Sequence, residues 1–156
     1  MLEVDIPGFG PVRLRHLVSD FTGTLSVDGK LVPGVKELLN KVSESLEVHV
    51  LTADTFGKAR SELEGVKCVV HILEGDNYDV QKEEYVDKLG AECVVAFGNG
   101  NNDRRMLKAA RVGVAVCLKE GCSVDAASSA NILVTSATDA LELLLNEKRL
   151  MATLRF

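Results

Sequence analysis

The sequence predicts an α/β fold in which one parallel β-sheet lies between two layers of helices, with an antiparallel hairpin at the N-terminus. Short Val-rich apolar segments alternate with helical patterns along the chain, which is typical of this class. Several of these segments are apolar almost throughout, as strands buried on both faces should be. The length of 156 residues and the 46% hydrophobic content suit one domain with a real core, so we expect residues 1–156 to form a single domain.

The predicted strands begin with the hairpin. Segments 2–6 and 12–20 flank "PGFGP" and fit two antiparallel strands joined by an irregular turn. Further strands are predicted at 46–52, 67–73, 92–98, 112–116 and 131–135. The alternation of strands and helices predicts a parallel sheet, with Asp20 at its rim.

The predicted helices lie between the strands. Pro33 and Gly34 open a helix over 34–44, since proline suits a first helical position. Asp54 is a good N-cap for a second helix. The remaining helical patterns cover 79–90, 101–110 and the tail from Ser136, where Ser136 and Asp139 form a capping-box pattern. The result is a three-layer, Rossmann-like arrangement.

Composition argues against several classes of function. The net charge of −5, the 4% aromatic content and the absence of Trp disfavour nucleic-acid binding. No apolar run is long enough to cross a membrane, and the first residues lack the pattern of a signal peptide. We therefore expect no nucleic-acid or membrane partner.

Cysteines and histidines give little sign of a metal or disulfide site. The four cysteines are scattered without a CxxC pair, which favours reduced thiols and a cytoplasmic location; they are Cys68, Cys93, Cys117 and Cys122. His16, His49 and His71 lie within or beside strand-like runs and have no metal-type spacing. We interpret these histidines as packing residues.

Ligands of such sheets bind at the carboxyl ends of the strands, so we inspected the residues that follow each strand. Asp20 ends an apolar run, Gly23 permits a sharp turn, and Thr22 and Thr24 add hydroxyl groups. This set suits a phosphate, with donors for its oxygens and a nucleophile for its phosphorus. The alternative is an Asp–Thr turn that caps local backbone.

A further strand end and a helix carry suitable side chains. Thr52 ends the strand 46–52, and its hydroxyl is weak support for a phosphate site. Lys82 shares an inward stripe with Tyr85, Val86 and Leu89, so its amine can reach the ligand end of the sheet. The alternative for Lys82 is a snorkelling surface side chain.

The segment "FGNGNND" (97–103) joins a strand to a helix and is rich in oxygen ligands. Asn99, Asn102 and Asp103 offer the hard donors that suit Mg²⁺. The dinucleotide fingerprint GxGxxG fails, because Asp103 occupies the last glycine position. An Asn-rich turn with helix caps is the alternative.

Taken in order, these segments resemble the haloacid-dehalogenase (HAD) superfamily, and within it the phosphorylation domain of P-type ATPases. "SDFTGTLS" is similar to DKTGTLT, and "VLTADTFGKA" is similar to LTGD followed by a helix. Lys82 matches the lysine motif, and "VVAFGNGNNDRRMLKAARVGVAV" with "GCSVDAASSANILV" is similar to the VGDGxNDxxxL…A.VGIA region. The resemblance runs from about residue 15 to 145.

The resemblance implies a Mg²⁺-dependent phosphatase with an aspartyl-phosphate intermediate. Asp20 would be the nucleophile, with Thr22 and Lys82 completing the catalytic set. The phosphoryl group would be bound by Thr24, Thr52, Ala53, Lys82 and Asn102. Mg²⁺ would be held by Asp20, the backbone carbonyl of Thr22, Asn99 and Asp103, the last directly or through water and Asn102.

The chain departs from the family pattern in three ways. Thr22 stands where most HAD phosphatases have an acid–base Asp, which predicts slow hydrolysis of the intermediate. Asn99 stands where Asp is usual, which predicts weaker Mg²⁺ binding, at millimolar concentrations. No nucleotide-binding or cap insertion fits, since residues 25–46 hold only an Asp28-Gly29 hairpin turn and one helix. Because the sequence has no membrane helix, we expect that the chain is not a pump.

Two hypotheses of different class follow. The first is a capless HAD phosphatase that acts slowly on small aryl or acyl phosphates, with a site open to bulky substrates or completed by a neighbouring subunit. The second is a non-enzymatic regulatory module that senses Mg²⁺ or phosphate or binds a protein, as Thr22 and Asn99 suggest. A phosphotransferase or ATPase is a weaker third option, since we find no nucleotide site. The apolar tail 150–156 suits packing on the domain or on a second copy.

Overall fold

A computed structural model describes residues 1–156 and contains ten strands and seven α-helices. The strands are β1 Leu2–Ile6, β2 Gly10–Leu14, β3 His16–Asp20, β4 Ser26–Val27, β5 Lys30–Leu31, β6 Glu47–Thr52, β7 Val69–Ile72, β8 Val94–Gly98, β9 Val112–Val116 and β10 Ile132–Val134. The α-helices are α1 Val35–Val42, α2 Ala59–Glu62, α3 Tyr78–Leu89, α4 Arg104–Ala109, α5 Val124–Ser129, α6 Ala137–Leu145 and α7 Glu147–Leu154. Short 3₁₀ turns at Ala91–Cys93 and Asn101–Asp103 precede β8 and α4.

Six strands form the central sheet, in the order β10-β9-β8-β3-β6-β7, and every neighbouring pair is parallel. The chain passes from β3 to β6 and β7 on one side, then returns to β8 and continues through β9 and β10 on the other. The direction of winding therefore reverses between β3 and β8. In open α/β sheets, ligands bind in the crevice outside the carboxyl ends of the strands at this reversal point.

The core lies on both faces of this sheet. All five residues of β8 and of β9 are buried, as their Val-rich sequences predict. A larger apolar cluster joins one sheet face to the N-terminal hairpin, α1, α6 and α7. A smaller cluster joins the other face to α3, α4 and α5. The predicted three-layer α/β fold is confirmed.

The strand predicted over 12–20 is divided in the structure. Residues Gly10–Leu14 pair antiparallel with Leu2–Ile6, whereas His16–Asp20 belongs to the central sheet. The division falls at Arg15, whose N–H donates to the Cys93 carbonyl and whose carbonyl accepts from the N–H of Glu47. The sequence hides this change of partner, because both halves have a strand-like pattern and no turn residue separates them.

The helix predicted from Asp54 is shorter than expected. Asp54 has a positive φ of 54°, and its carboxylate accepts hydrogen bonds from the N–H groups of Lys58 and Ala59, both at 3.0 Å. Asp54 therefore stabilises a loop, and α2 forms only after it. Pro33 and Gly34 likewise precede α1, which begins at Val35.

The segment between β3 and β6 contains one small hairpin and one helix. β4 and β5 pair across Asp28-Gly29, both with positive φ, as the dipeptide predicts. No cap follows Asp20, and the interval between β6 and α3 holds only α2 and β7. No helix is long and apolar enough to span a lipid bilayer.

The C-terminal tail packs on its own domain. Leu150 and Leu154 of α7 are buried in the larger cluster, and α7 lies against β1. The N–H of Phe156 donates to the Pro7 carbonyl, although the Phe156 side chain is exposed. The Ser136 hydroxyl accepts from the N–H of Asp139 at 3.1 Å, so the predicted N-cap of α6 is confirmed.

Candidate active site

Asp20 occupies the carboxyl end of the central strand β3, beside the reversal point of the sheet. The residue is 7% exposed and faces a cavity of about 220 Å³. After Asp20, the chain turns sharply at Gly23, which has a φ of 79° and lies close to the Asn99 side chain. A β-carbon at position 23 would collide with Asn99 and Glu120, so this turn requires glycine.

Lys82 reaches the site from the middle of α3. Its side chain is 1% exposed, and its Nζ lies 2.9 Å from Asp20 Oδ1 and 2.7 Å from Asp103 Oδ1. Nζ also donates to Asn102 Oδ1 at 3.4 Å. The inward position inferred from the helical stripe is confirmed, and surface snorkelling is wrong. The Lys82 ammonium group thus lies between the two buried carboxylates of Asp20 and Asp103.

Asp103 fixes the loop that follows β8. Its Oδ2 accepts hydrogen bonds from the backbone N–H groups of Asn99 and Gly100, at 2.9 and 3.0 Å. A β-carbon at Gly98 would lie 2.4 Å from the Asp103 side chain, so glycine is what allows this close approach. Because both Asp103 oxygens have partners, this side chain positions the loop and Lys82.

Asn99 faces Asp20 across the reversal point. The Thr24 hydroxyl lies 3.0 Å from Asp20 Oδ2 and 3.2 Å from Asn99 Oδ1, so the two oxygens converge on one buried group. Asn99 Nδ2 donates to the Gly121 carbonyl at 3.2 Å, which turns the amide oxygen toward Asp20. Carboxylate and amide oxygens at this spacing fit a hard divalent cation such as Mg²⁺.

The cavity brings most of the predicted site residues together. Its lining comprises Asp20, Thr22, Thr52, Ala53, Thr55, Lys82, Asn99, Gly100, Asn102 and Glu120. Thr24 and Asp103 lie behind this lining and contact it through hydrogen bonds. The Thr52 hydroxyl accepts from the N–H of Asp54, so it also stabilises the loop after β6.

Thr55, Gly100 and Glu120 were missed from the sequence. Thr55 and Gly100 lie within the segments 50–59 and 97–103 that carry the sequence motifs, so their positions in these loops were a usable signal. Glu120 lies after β9, in a stretch with no distinctive pattern, and it enters the cavity only because β9 is the neighbour of β8. This exposed carboxylate adds negative charge to the rim.

Burial dominates the electrostatics of Asp20. Burial, and then the charge of Asp103, raise the pKa of Asp20 from 3.8 to about 6, against the opposing influence of Lys82 and Thr24. Burial lowers the pKa of Lys82, but the charges of Asp103 and Asp20 raise this pKa by more than burial lowers it. Lys82 therefore stays protonated. The ionised amine of Lys82 therefore lies beside the Asp20 carboxylate, and Lys82 stabilises the negative charge of Asp20 only in part.

The stability of the cation-free protein is expected to fall as the pH rises from about 4 to about 6. In this interval the folded state keeps the Asp20 proton, whereas the unfolded chain has released it, so folding binds protons. The free energy of unfolding should decrease by on the order of 2 to 3 kcal/mol on this account. Urea unfolding in chelator across this range, with Asp20→Asn as the non-titrating reference, measures the difference. Parallel pH profiles for the two proteins would contradict this assignment.

The structure brings His16 and His49 together with Glu47, which their spacing in the sequence did not indicate. Parallel pairing of β3 with β6 places His16 opposite Glu47, and the ligand atoms of His16, Glu47 and His49 lie within 4.8 Å of one another. The sequence hides this cluster because its members come from two strands, and 31 positions separate His16 from Glu47 along the chain. His71 lies outside it and is exposed.

Residues 77–121 match a family model described as haloacid dehalogenase-like hydrolase, and this segment includes Lys82, Asn99 and Asp103. Two proteins of Methanocaldococcus jannaschii are similar in sequence. Uncharacterized protein MJ0073 is 48% identical over 62 residues, which are 40% of this chain and 67% of that protein. Uncharacterized protein MJ0072 is 44% identical over 39 residues, which are 25% of this chain and 89% of that protein.

Solved structures share the fold at low sequence identity. A 3-deoxy-D-manno-octulosonate (KDO) 8-phosphate phosphatase from Moraxella catarrhalis, in complex with magnesium, phosphate and KDO, has a TM-score of 0.70 at 16% identity, covering 91% of this chain and 94% of that one. A phosphoserine phosphatase in its apo form has a TM-score of 0.63 at 15% identity, covering 85% and 98%. At these identities the likeness shows the fold alone.

Proposed function

We propose that this chain is a haloacid dehalogenase-like hydrolase, in line with the family match over residues 77–121, and that it is a Mg²⁺-dependent phosphatase that acts through an aspartyl-phosphate on Asp20. One observation carries this proposal: the Asp20 carboxylate faces a cavity at the reversal point of the sheet, with Lys82 Nζ 2.9 Å away and Asn99 beside it. A carboxylate, a buried amine and an oxygen-rich loop are the parts that phosphoryl transfer requires.

The proposed first step transfers the phosphoryl group from a monoester to Asp20. A carboxylate oxygen attacks phosphorus, the new O–P bond forms, and the ester O–P bond breaks. The leaving group departs as its oxyanion and takes a proton from solvent. Lys82 offsets the negative charge of the phosphoryl group, and the Thr52 and Asn102 side chains line the cavity around it. Water then attacks phosphorus, which releases phosphate and regenerates the Asp20 carboxylate.

Asp20, Asn99 and the Thr22 backbone carbonyl are the proposed holders of Mg²⁺. When bound, the cation supplies charge neutralisation for the transferring group. The Gly121 carbonyl orients Asn99 for this role, and Asp103 acts indirectly by holding the Asn99–Gly100 backbone and Lys82. Asn99 is neutral, so we expect the cation to be needed at millimolar concentrations.

Thr22 limits both steps in this proposal. Threonine cannot protonate a leaving alkoxide or deprotonate water at neutral pH, so good leaving groups such as aryl and acyl phosphates are favoured. A long-lived phosphoenzyme is also what the motif resemblance to the phosphorylation domain of P-type ATPases implies. The segments around Asp20 and Asn99 carry this resemblance to the phosphorylation domain of P-type ATPases.

Replacing Thr22 by Asp is expected to accelerate hydrolysis of the phosphoenzyme about tenfold or more, a fraction of the 10²–10⁴-fold that a placed general acid–base contributes. Thr22 lines the cavity next to Asp20, so a carboxylate there can approach the attacking water. Single-turnover decay of the phosphoenzyme measures the rate. The matched control is Thr22→Asn, because the Asn side chain has the shape of Asp but no ionisable group. If Thr22→Asn gained as much as Thr22→Asp, a role for proton transfer would be ruled out.

A small phosphorylated substrate is proposed because the cavity is small and open. Its volume of about 220 Å³ is below the range of about 300–1,000 Å³ typical for drug-sized ligands, so the organic part of a larger substrate would extend into solvent. The sugar phosphate and amino-acid phosphate named for the two structural neighbours are of suitable size, and we include both classes in the proposed range.

A panel of aryl, acyl, sugar and amino-acid phosphates, assayed with and without Mg²⁺, tests this proposal. We expect steady release of phosphate that requires Mg²⁺ and is largest for aryl and acyl phosphates. A stable phosphoenzyme with no turnover on any member would instead support the second hypothesis, a regulatory module, which Thr22 and the neutral Asn99 favour.

A further inference from the structure

We propose that His16, Glu47 and His49 form a Zn²⁺ site at the amino-terminal ends of β3 and β6. The three residues belong to adjacent parallel strands, and Asp20 lies at the opposite end of β3, about 13 Å away along the strand. The site is therefore separate from the proposed phosphatase centre and does not depend on that proposal.

The ligand atoms of the cluster already have the spacing of a zinc coordination shell. His16 Nδ1 lies 3.2 Å from His49 Nε2, and these nitrogens lie 3.7 and 3.5 Å from the two Glu47 carboxylate oxygens. Ligands at about 2.0–2.1 Å from a tetrahedral Zn²⁺ are separated by roughly 3.3 Å. The 3.2 Å between the two ring nitrogens is also a hydrogen-bond distance, so a Zn²⁺ ion between the three side chains would replace the proton that His16 and His49 share.

Tyr85 of α3 sets the orientation of His49. The Tyr85 hydroxyl lies 2.9 Å from His49 Nδ1, so a proton on Nδ1 can be donated to it. That tautomer leaves a lone pair on Nε2, the atom that faces His16. A second hydrogen bond of this kind is the usual support of a metal-ligating histidine.

The surroundings leave a fourth position open at the cluster. The His49 side chain is 4% exposed and that of Glu47 is 58% exposed, so solvent reaches the cluster from the Glu47 side. Two imidazoles and one carboxylate are a set that Zn²⁺ accepts, with water as the fourth ligand.

Zinc titration of chelator-treated protein against a chromophoric competitor tests this site. We expect one Zn²⁺ per chain, retained in Asp20→Asn because that change removes only the other candidate metal site. His16→Gln and Glu47→Gln should weaken binding at least 10- to 100-fold, and Tyr85→Phe should weaken it about 10- to 100-fold. The side chains of His16 and Glu47 are partly exposed, so these two variants should fold. The test therefore needs no substitution of the buried His49.

His71→Gln is the matched control, since this third histidine is exposed and its ring lies 5.5 Å from that of Tyr85. It should bind zinc as the unaltered protein does. Substitution with Co²⁺ should give the strong visible bands of a tetrahedral site without thiolate charge-transfer absorption. Equal zinc affinity in His16→Gln and the unaltered protein, loss of zinc in Asp20→Asn, or thiolate bands from the four free cysteines would each overturn the proposal.

Discussion

Asp20→Asn is expected to reduce the proposed Mg²⁺-dependent phosphatase activity by at least roughly 10³-fold, because the amide cannot attack phosphorus. The same change should leave the fold intact, since it removes a charge that burial disfavours and keeps Lys82 paired with Asp103 at 2.7 Å. Asp20→Asn should therefore be inactive yet at least as stable as the unaltered protein near neutral pH. Initial rates on an aryl phosphate, with urea unfolding of the same preparation, measure both properties.

The control is Asp87→Asn on α3, where an exposed carboxylate is removed from the same helix that carries Lys82. Its activity should match that of the unaltered protein. Activity of Asp20→Asn within about tenfold of the control would mean that another group forms the bond to phosphorus.

Replacing Lys82 by Met is expected to destabilise the protein by about 3–5 kcal/mol near neutral pH, since it leaves two buried carboxylates without their shared cation. Nζ makes both of its short contacts to carboxylates, at 2.9 Å to Asp20 and 2.7 Å to Asp103. The loss should shrink as the pH is lowered, because protonation of the carboxylates removes the uncompensated charge. Denaturant unfolding at neutral and acidic pH measures the effect.

Lys88→Met on the same helix is the matched control, because Lys88 is exposed and should cost within about 0.5 kcal/mol. Adding Asp20→Asn to Lys82→Met should recover part of the lost stability, since one of the two unpaired carboxylates is then neutral. Equal stabilities for Lys82→Met and Lys88→Met would show that the buried amine does not balance the two carboxylates.

The sequence predicted the parts of the fold and site that depend on local pattern. Val-rich runs become fully buried parallel strands, and Lys82 is inward because it shares a helical stripe with Val86. Asp20 and Asn99 could be placed together because the carboxyl ends of parallel strands share one edge of the sheet. Each of these inferences needs only a period of 2.0 or 3.6 and the rule for strand direction.

What the sequence could not predict depends on which strands become neighbours. The division at Arg15 follows from a change of pairing partner, which a continuous strand-like segment does not reveal. The approach of His16 to His49 requires both the pairing of β3 with β6 and its register. Glu120 reaches the cavity for the same kind of reason, because β9 lies beside β8.

Detection of a phosphoryl group on Asp20 tests the central proposal most directly. The protein is incubated with acetyl phosphate and Mg²⁺, quenched in acid and measured by intact mass and peptide mapping. We expect an adduct of one phosphoryl group, sensitive to hydroxylamine, on the peptide that contains Asp20, and no adduct in Asp20→Asn or without Mg²⁺. Catalytic turnover with no such adduct, or an adduct that persists in Asp20→Asn, would contradict the proposed mechanism.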